Sequence, residues 1–226
     1  MNIEDIVIYW KRQTRTEDGL WLHPDDREIL SERNRHTFNL DFPVGPFIGN
    51  VVCSPVVVLG LNAGYHETGT AKDFDRGEVD IRGQLEQNAM PDKVDWKNRK
   101  GAARSDYYRK INYGELLFDG RAVMVDACAY RSKSLSNEPK NKKIAEDLPS
   151  VKFARRWLLE AVLPLANAGR RLVVAKRWSL WNASSELRTA SGVVMDPCPQ
   201  SSNITGGAKE HLRQWLTDNG FGVWNP

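Results

Sequence analysis

Ser54-Pro-Val-Val-Val-Leu-Gly-Leu-Asn-Ala-Gly-Tyr-His66 is the stretch that decides the fold. Within it, Val56–Leu59 is a continuous apolar run, mostly β-branched and closed by glycine, which suits a short strand buried on both faces. Three later runs share that character: Ala122–Val125, Leu172–Ala175 and Gly192–Met195. Between the second and third, Phe153, Trp157, Leu158, Ala161, Val162 and Leu165 recur at helical spacing. A helix is therefore expected over 150–168, with Gly169 as its C-cap and Pro164 kinking its last turn. A shorter helical segment falls near Trp178–Leu187, and a last helix over 207–217. Strands separated by helices form βαβ units. The expected fold is thus α/β: a three-layer α/β/α sandwich around a short, mostly parallel, four-stranded sheet, in one domain spanning 1–226. Residues 1–45 read as a helical and loop extension packed on that domain. Phe42–Asn50, rich in Pro and Gly, reads as loop, and 66–105 as a long polar excursion.

In sheets of this kind ligands sit beyond the carboxyl ends of the strands. The polar residues that follow the four runs are Asn62, Asp126, Lys176 and Asp196, and these are the first candidates. Composition narrows the possibilities. The chain has 226 residues, 41% hydrophobic and 27% charged, enough for a substantial core. No apolar run reaches the ~20 residues of a membrane span. The opening Met1-Asn-Ile-Glu-Asp5 lacks a basic region followed by an apolar one, so no signal peptide is expected. Cys53, Cys128 and Cys198 are widely spaced and odd in number, which argues for a reducing compartment and against a disulfide framework. Net charge is only +3, but basic residues cluster. Lys97, Arg99, Lys100, Arg104, Arg109 and Lys110 are interleaved with Tyr107, Tyr108 and Tyr113; Arg131, Lys133, Lys140, Lys142 and Lys143 follow. Such patches can hold phosphates, and equally can be solvated surface.

Three segments, in order, resemble the uracil-DNA glycosylase superfamily. Gly60-Leu-Asn-Ala-Gly-Tyr-His66 follows the first strand, where one branch of the family has Gly-Gln-Asp-Pro-Tyr-His. The mismatch-specific and single-strand-selective branches have Gly-x-Asn-Pro-Gly there, and this chain is closer to those, with Ala63 in place of proline. Val123-Met-Val-Asp-Ala-Cys-Ala-Tyr-Arg-Ser132 follows the second strand and carries Asp126 where the family's base-reading Asn usually stands. Asp196-Pro-Cys-Pro-Gln-Ser201, followed by Gly206, Gly207 and His211, is similar to the family's His-Pro-Ser-Pro-x-Ser segment. The resemblance spans residues 45–217.

It implies a DNA-binding hydrolase of base-excision repair that cleaves the N-glycosidic bond of a damaged or non-standard base flipped out of single- or double-stranded DNA. Asn62 and Asp196 would be its catalytic residues, with Asn62 holding the attacking water; an amide orients water but is no general base. Gly60, Leu61, Tyr65 and Asp126 would contact the base. Arg131 and the loop Cys198, Pro199, Gln200, Ser201 and Ser202 would contact DNA, with Gln200 in the place of the family's apolar wedge. No cofactor and no metal are implied; a cytoplasmic monomer, free of membranes, is expected.

Two departures bear on the chemistry. An ionised Asp126 only accepts hydrogen bonds, so it suits a base edge presenting donors, as in cytosine, adenine or guanine, unless it is held protonated. A carboxylate at Asp196 would repel charge developing on the base unless protonated or turned away. These departures also fit a rival, a non-catalytic nucleobase-binding module of the same fold. A third possibility is an enzyme acting on a free nucleoside or another small ligand. Three cysteines are too few for an iron–sulfur cluster, four scattered His give no zinc spacing, and neither a Walker A loop nor a Gly-x-Ser-x-Gly elbow is present.

Overall fold

A computed structural model describes residues 1–75, 85, 108 and 110–225. Among these, the central sheet has five strands, β3 (Phe47–Ile48), β4 (Val56–Gly64), β5 (Ala122–Ser132), β6 (Leu172–Ala175) and β7 (Val193–Met195), in the order β3-β5-β4-β6-β7. β4, β5, β6 and β7 run parallel, and β3 lies antiparallel on β5. The expected α/β class and mostly parallel sheet are present, but the strand count of four is corrected to five. β3 was hidden because only two residues of the Pro/Gly-rich stretch are paired. The carbonyl of Pro46 extends the ladder by accepting from Asp126 N at 2.9 Å.

Two other boundaries differ in a way that matters for function. β4 continues through Gly60, Asn62 and Gly64, and β5 through Asp126, Arg131 and Ser132. Asn62 and Asp126, expected just beyond their strands, are therefore held within them, with a register irregularity between Asn62 and Gly64, whereas Lys176 and Asp196 do follow β6 and β7 directly. The continuation needs no apolar side chains, because each strand completes its neighbour's hydrogen bonding.

The side-chain alternation of the strands divides the core. On one face Val57, Leu59, Leu61, Val123, Val125, Val173 and Ala175 pack with Val151, Ala154, Trp157 and Leu158. These last four belong to the long helical stretch: α6 (Pro149–Trp157), a π-helical turn Leu158–Val162, and α7 (Leu163–Asn167). Pro164 lacks the N–H that an α-helix interior requires, and the wider turn falls directly before it. Gly169, at φ +70°, closes the stretch as expected: its N–H reaches Ala166 O and that of Arg170 reaches Leu165 O, which caps the helix end. The same core takes in the N-terminal segment, through Ile6 and Trp10 of α1 (Asp5–Trp10), Leu22 of the small β1–β2 pair (Thr14–Arg15 and Trp21–Leu22) and Leu30 of α2 (Arg27–Leu30). On the opposite face Val56, Val58, Ala122, Met124, Leu172 and Val174 pack against Leu116 and Leu117 of α4 (Gly114–Phe118) and Ala208, Leu212 and Leu216 of α9 (Gly206–Asp218). Each fully buried Val or Leu in these layers is worth roughly 1.5–3 kcal/mol relative to exposure.

Of the remaining helices, α3 (Glu67–Asp75) follows β4, α5 (Pro139–Asp147) follows β5, and α8 (Ser184–Thr189) precedes β7. The basic, tyrosine-rich stretch lies mostly outside the described residues: Lys97, Arg99, Lys100, Arg104, Tyr107 and Arg109 are not described, whereas Tyr108, Lys110 and Tyr113 are. Among the described residues no helix is long and apolar enough to cross a membrane.

Candidate functional site

Gly60, Asn62 and Asp126 continue the sheet face of Val56, Val58, Ala122 and Met124. Where that apolar layer ends, the face opens into a cavity of about 400 Å³. This lies within the ~300–1,000 Å³ usual for small-molecule sites. Gly60, Leu61, Asn62, Tyr65, Asp126 and Arg131, all candidates from the sequence, line it. The cavity wall also includes Lys176 and Arg177 from the end of β6, Tyr108, Tyr113 and Met124, and the Ser132–Ser136 segment.

Asn62 has a defined orientation. Its Nδ2 donates to Ala63 O at 2.9 Å, to Ser132 Oγ at 3.0 Å and to Tyr130 O at 3.4 Å. Two of these partners are backbone carbonyls, which only accept, so the amide cannot be flipped. Its Oδ1 has no hydrogen-bond partner among the described residues. The side chain therefore presents an acceptor at the cavity, fixed by bonds on its other end.

Asp126 lies at the cavity floor, 4% exposed. Among the described residues no donor hydrogen-bonds its carboxylate. Burial pushes its pKa up to about 7; the positive charges of Arg131 and Arg177 oppose this without reversing it. The carboxylate packs directly over Gly60, its register partner on β4. Near neutral pH it can thus present itself either as an acid, with one donor and acceptors, or as a carboxylate.

Lys176 and Arg177 were brought to the site by the strand end. Lys176 was legible as a polar residue following a strand; Arg177 was missed, although it is the next residue in sequence. Lys176 is 3% exposed. Its ammonium donates to Asn203 O and pairs with Asp196 Oδ2 at 3.4 Å. Arg177 donates to Gln200 O at 3.4 Å. Both contacts tie the 196–205 loop to the cavity wall.

Asp196, expected from the sequence as a catalytic residue, is not among the residues that line the cavity. Asp196 is buried and turned into its own loop. Oδ1 accepts from Cys198 N at 2.8 Å and Thr205 Oγ1 at 2.5 Å, and Oδ2 from Thr205 N at 3.2 Å. With Lys176 beside it, every lone-pair direction has a partner, so the residue acts as the loop's anchor. Cys198, Pro199, Gln200, Ser201 and Ser202 likewise lie off the cavity. Cys198, Gln200 and Ser202 are exposed on the loop, next to the Arg177 edge.

The back of the site is held by the N-terminal segment. Asn39 N donates to Arg131 O at 2.9 Å. Tyr130 Oη donates to Asp26 Oδ2 at 2.7 Å and accepts from His23 N at 3.1 Å, and Ser150 N donates to Asp26 Oδ1 at 3.0 Å. His23 and Asp26 have no exposed surface. Burial raises the pKa of Asp26 and lowers that of His23. Sequence reading missed this network because its members lie more than a hundred residues apart.

Among the described residues no group of three or more His, Cys, Asp or Glu is placed to hold a metal ion. Comparisons with family models, with curated proteins and with solved structures find no match for this chain.

Proposed function

We propose that this protein excises a base from DNA in the manner of the uracil-DNA glycosylases, with the cavity receiving a base flipped out of the strand. The observation that carries this reading is Asn62, whose amide nitrogen is locked by Ala63, Tyr130 and Ser132 while its oxygen remains available at the cavity. An acceptor held in that way orients a water whose oxygen bonds to the sugar's anomeric carbon as the glycosidic electron pair departs with the base, which takes up the proton the water releases. Lys176 and Arg177 supply positive potential where the departing base carries negative charge. Asp126 reads the base edge. The helices on both faces of the mostly parallel sheet are in keeping with the three-layer α/β/α sandwich of that superfamily. Arg131, Lys133 and the exposed 197–202 loop are the expected contacts for DNA phosphates.

The test is a base-release assay with single- and double-stranded oligonucleotides carrying uracil, hypoxanthine, xanthine, a 5-substituted uracil or a mismatch. Abasic sites are detected by alkaline cleavage. Release that is lost in Asn62→Ala supports the proposal; release unaffected by that change removes Asn62 from the mechanism. A second reading, a nucleobase-binding module without chemistry, is favoured by Asp196, whose commitment to its own loop leaves no donor from that position for a leaving base. Binding of DNA without release from any substrate would select it.

A further inference from the structure

We propose that the cavity recognises a guanine-type edge, a ring N–H beside an exocyclic amino group, through the carboxylate of Asp126. The inference rests on the reading that the cavity holds a nucleobase, and it names the class of base.

Asp126 has hydrogen-bonding capacity that the fold leaves unmet. A buried carboxylate ordinarily accepts several hydrogen bonds, yet Asp126, 4% exposed as a residue, lines the cavity with no described donor bonding its carboxylate. Its neighbourhood is built to keep it there. Residue 60 is glycine, and any β-carbon at that position would collide with Oδ1. Val56, Val58 and Met124 beneath it are apolar and cannot satisfy it. The missing donors must then come from what enters the cavity. A carboxylate takes two parallel N–H bonds in the fork geometry that makes paired donors strong.

Several chemical groups carry such a pair, and the cavity's charge distinguishes among them. Arginine side chains, amidines and the protonated forms of cytosine and adenine present the pair only with a positive charge. The wall here carries Arg131, Lys133 and Arg177, which disfavour a cationic guest, besides Lys176 with its charge paired to Asp196. Guanine presents N1–H and the 2-amino group while neutral. A phosphate attached to it would be welcome beside those same cations. Tyr65, Tyr108 and Tyr113 on the wall supply aromatic surface for a purine. Uracil and thymine offer one N–H between two carbonyl oxygens; those oxygens would face the ionised carboxylate, and only its protonated form could donate to one of them.

The experiment compares GMP with IMP, which differs only in lacking the 2-amino group, and with AMP, CMP and UMP. Titration calorimetry of the full chain is run beside single-stranded oligonucleotides carrying one guanine or one inosine. GMP, the guanine oligonucleotide, or both should bind at least about tenfold more tightly than the inosine counterpart, the value of one charge-assisted hydrogen bond. Preference with GMP places the ligand among free nucleotides; preference only in the oligonucleotide places it in nucleic acid. Asp126→Asn should abolish the preference, since an amide accepts only one of the two bonds. Equal affinity for guanine and inosine in both formats, or a preference that survives Asp126→Asn in a folded variant, overturns the proposal. Base release dependent on Asn62 is scored separately. Release without guanine preference defeats this inference alone, and guanine preference without release defeats only the excision chemistry.

Discussion

The carboxylate of Asp126 lies so close over Gly60 that a β-carbon there would overlap Oδ1 and stand 3.2 Å from Cγ. The pair faces directly across the parallel β4–β5 ladder, so neither backbone can yield without disturbing the sheet. Gly60→Ala is expected to destabilise the fold by about 1–3 kcal/mol, as other overpacked cores are. Asp126→Ala removes the atoms that would be struck. Adding Gly60→Ala to that background should therefore cost less than adding it to the parent chain. Denaturant unfolding of the four proteins checks this. Equal costs in both backgrounds would show that the glycine is required for some other reason.

Asp126 also makes stability depend on pH with a definite sign. Its folded pKa of about 7 exceeds the ordinary 3.8 because burial penalises the charged form. The folded protein thus binds the proton more tightly than the unfolded chain. The stability this contributes is complete below the unfolded value and is lost as pH rises through about 7. Asp126→Asn does not titrate. Its stability relative to the parent should rise between about pH 5 and about pH 8, approaching a slope of roughly 1.4 kcal/mol per pH unit where the folded parent holds the proton and the unfolded chain does not. Unfolding curves at the two pH values decide it, and a constant difference would mean that the carboxylate is not buried in the way described.

The four parallel strands were legible because Val, Leu and Met in unbroken runs have no stable place except a buried sheet. β3 was not, since its two residues draw their pairing from β5 and not from any pattern of their own. Asn62 and Asp126 could be singled out from their position after apolar runs, and both line the cavity. Asp196 satisfied the same rule and yet points elsewhere. What turns it is Lys176, twenty residues earlier, and Thr205, nine later. A post-strand position gives the start of a side chain; its direction depends on partners that only the folded chain assembles. The His23–Asp26–Tyr130 network was illegible for the same reason on a longer scale.

The Lys176–Asp196 pair should respond unequally to loss of either member. Both side chains are essentially inaccessible, at 3% and 0% exposure. Asp196→Ala strands a buried ammonium together with Cys198 N and Thr205 N, and is expected to cost about 3–5 kcal/mol. Lys176→Met leaves Asp196 with its two backbone donors and the Thr205 hydroxyl, so its cost should be smaller by about 1 kcal/mol or more. Denaturant unfolding of the two variants measures the difference. A larger loss for Lys176→Met would make the lysine, through Asn203, the true anchor of the loop.

His23 gives the fold a sensitivity to acid that reaches the back of the cavity. Its Nδ1 accepts from Asp25 N at 3.2 Å, so the ring proton sits on Nε2 and is donated to Tyr9 O at 3.0 Å. Tyr9 stacks on the ring at 3.9 Å, and a second proton on Nδ1 would face the Asp25 N–H that now bonds it. Burial accordingly lowers the pKa from 6.5, despite the Asp25 carboxylate at 3.7 Å. The folded state binds fewer protons than the unfolded one, so this stability is present above 6.5 and is lost as pH falls below it. Asp26 acts with the opposite sign: its raised pKa makes its contribution greatest in acid and reduced as pH rises. His23→Phe keeps the stacking but leaves Asp25 N and Tyr9 O unpaired, a loss of about 1–3 kcal/mol near neutrality. Because phenylalanine does not titrate, the gap between variant and parent should narrow from about pH 7 to about pH 5. Urea unfolding across that range tests it. Parallel pH profiles for the two proteins would assign the acid sensitivity to groups other than His23, and with it the coupling through Tyr130 to the strand that carries Arg131 and Ser132.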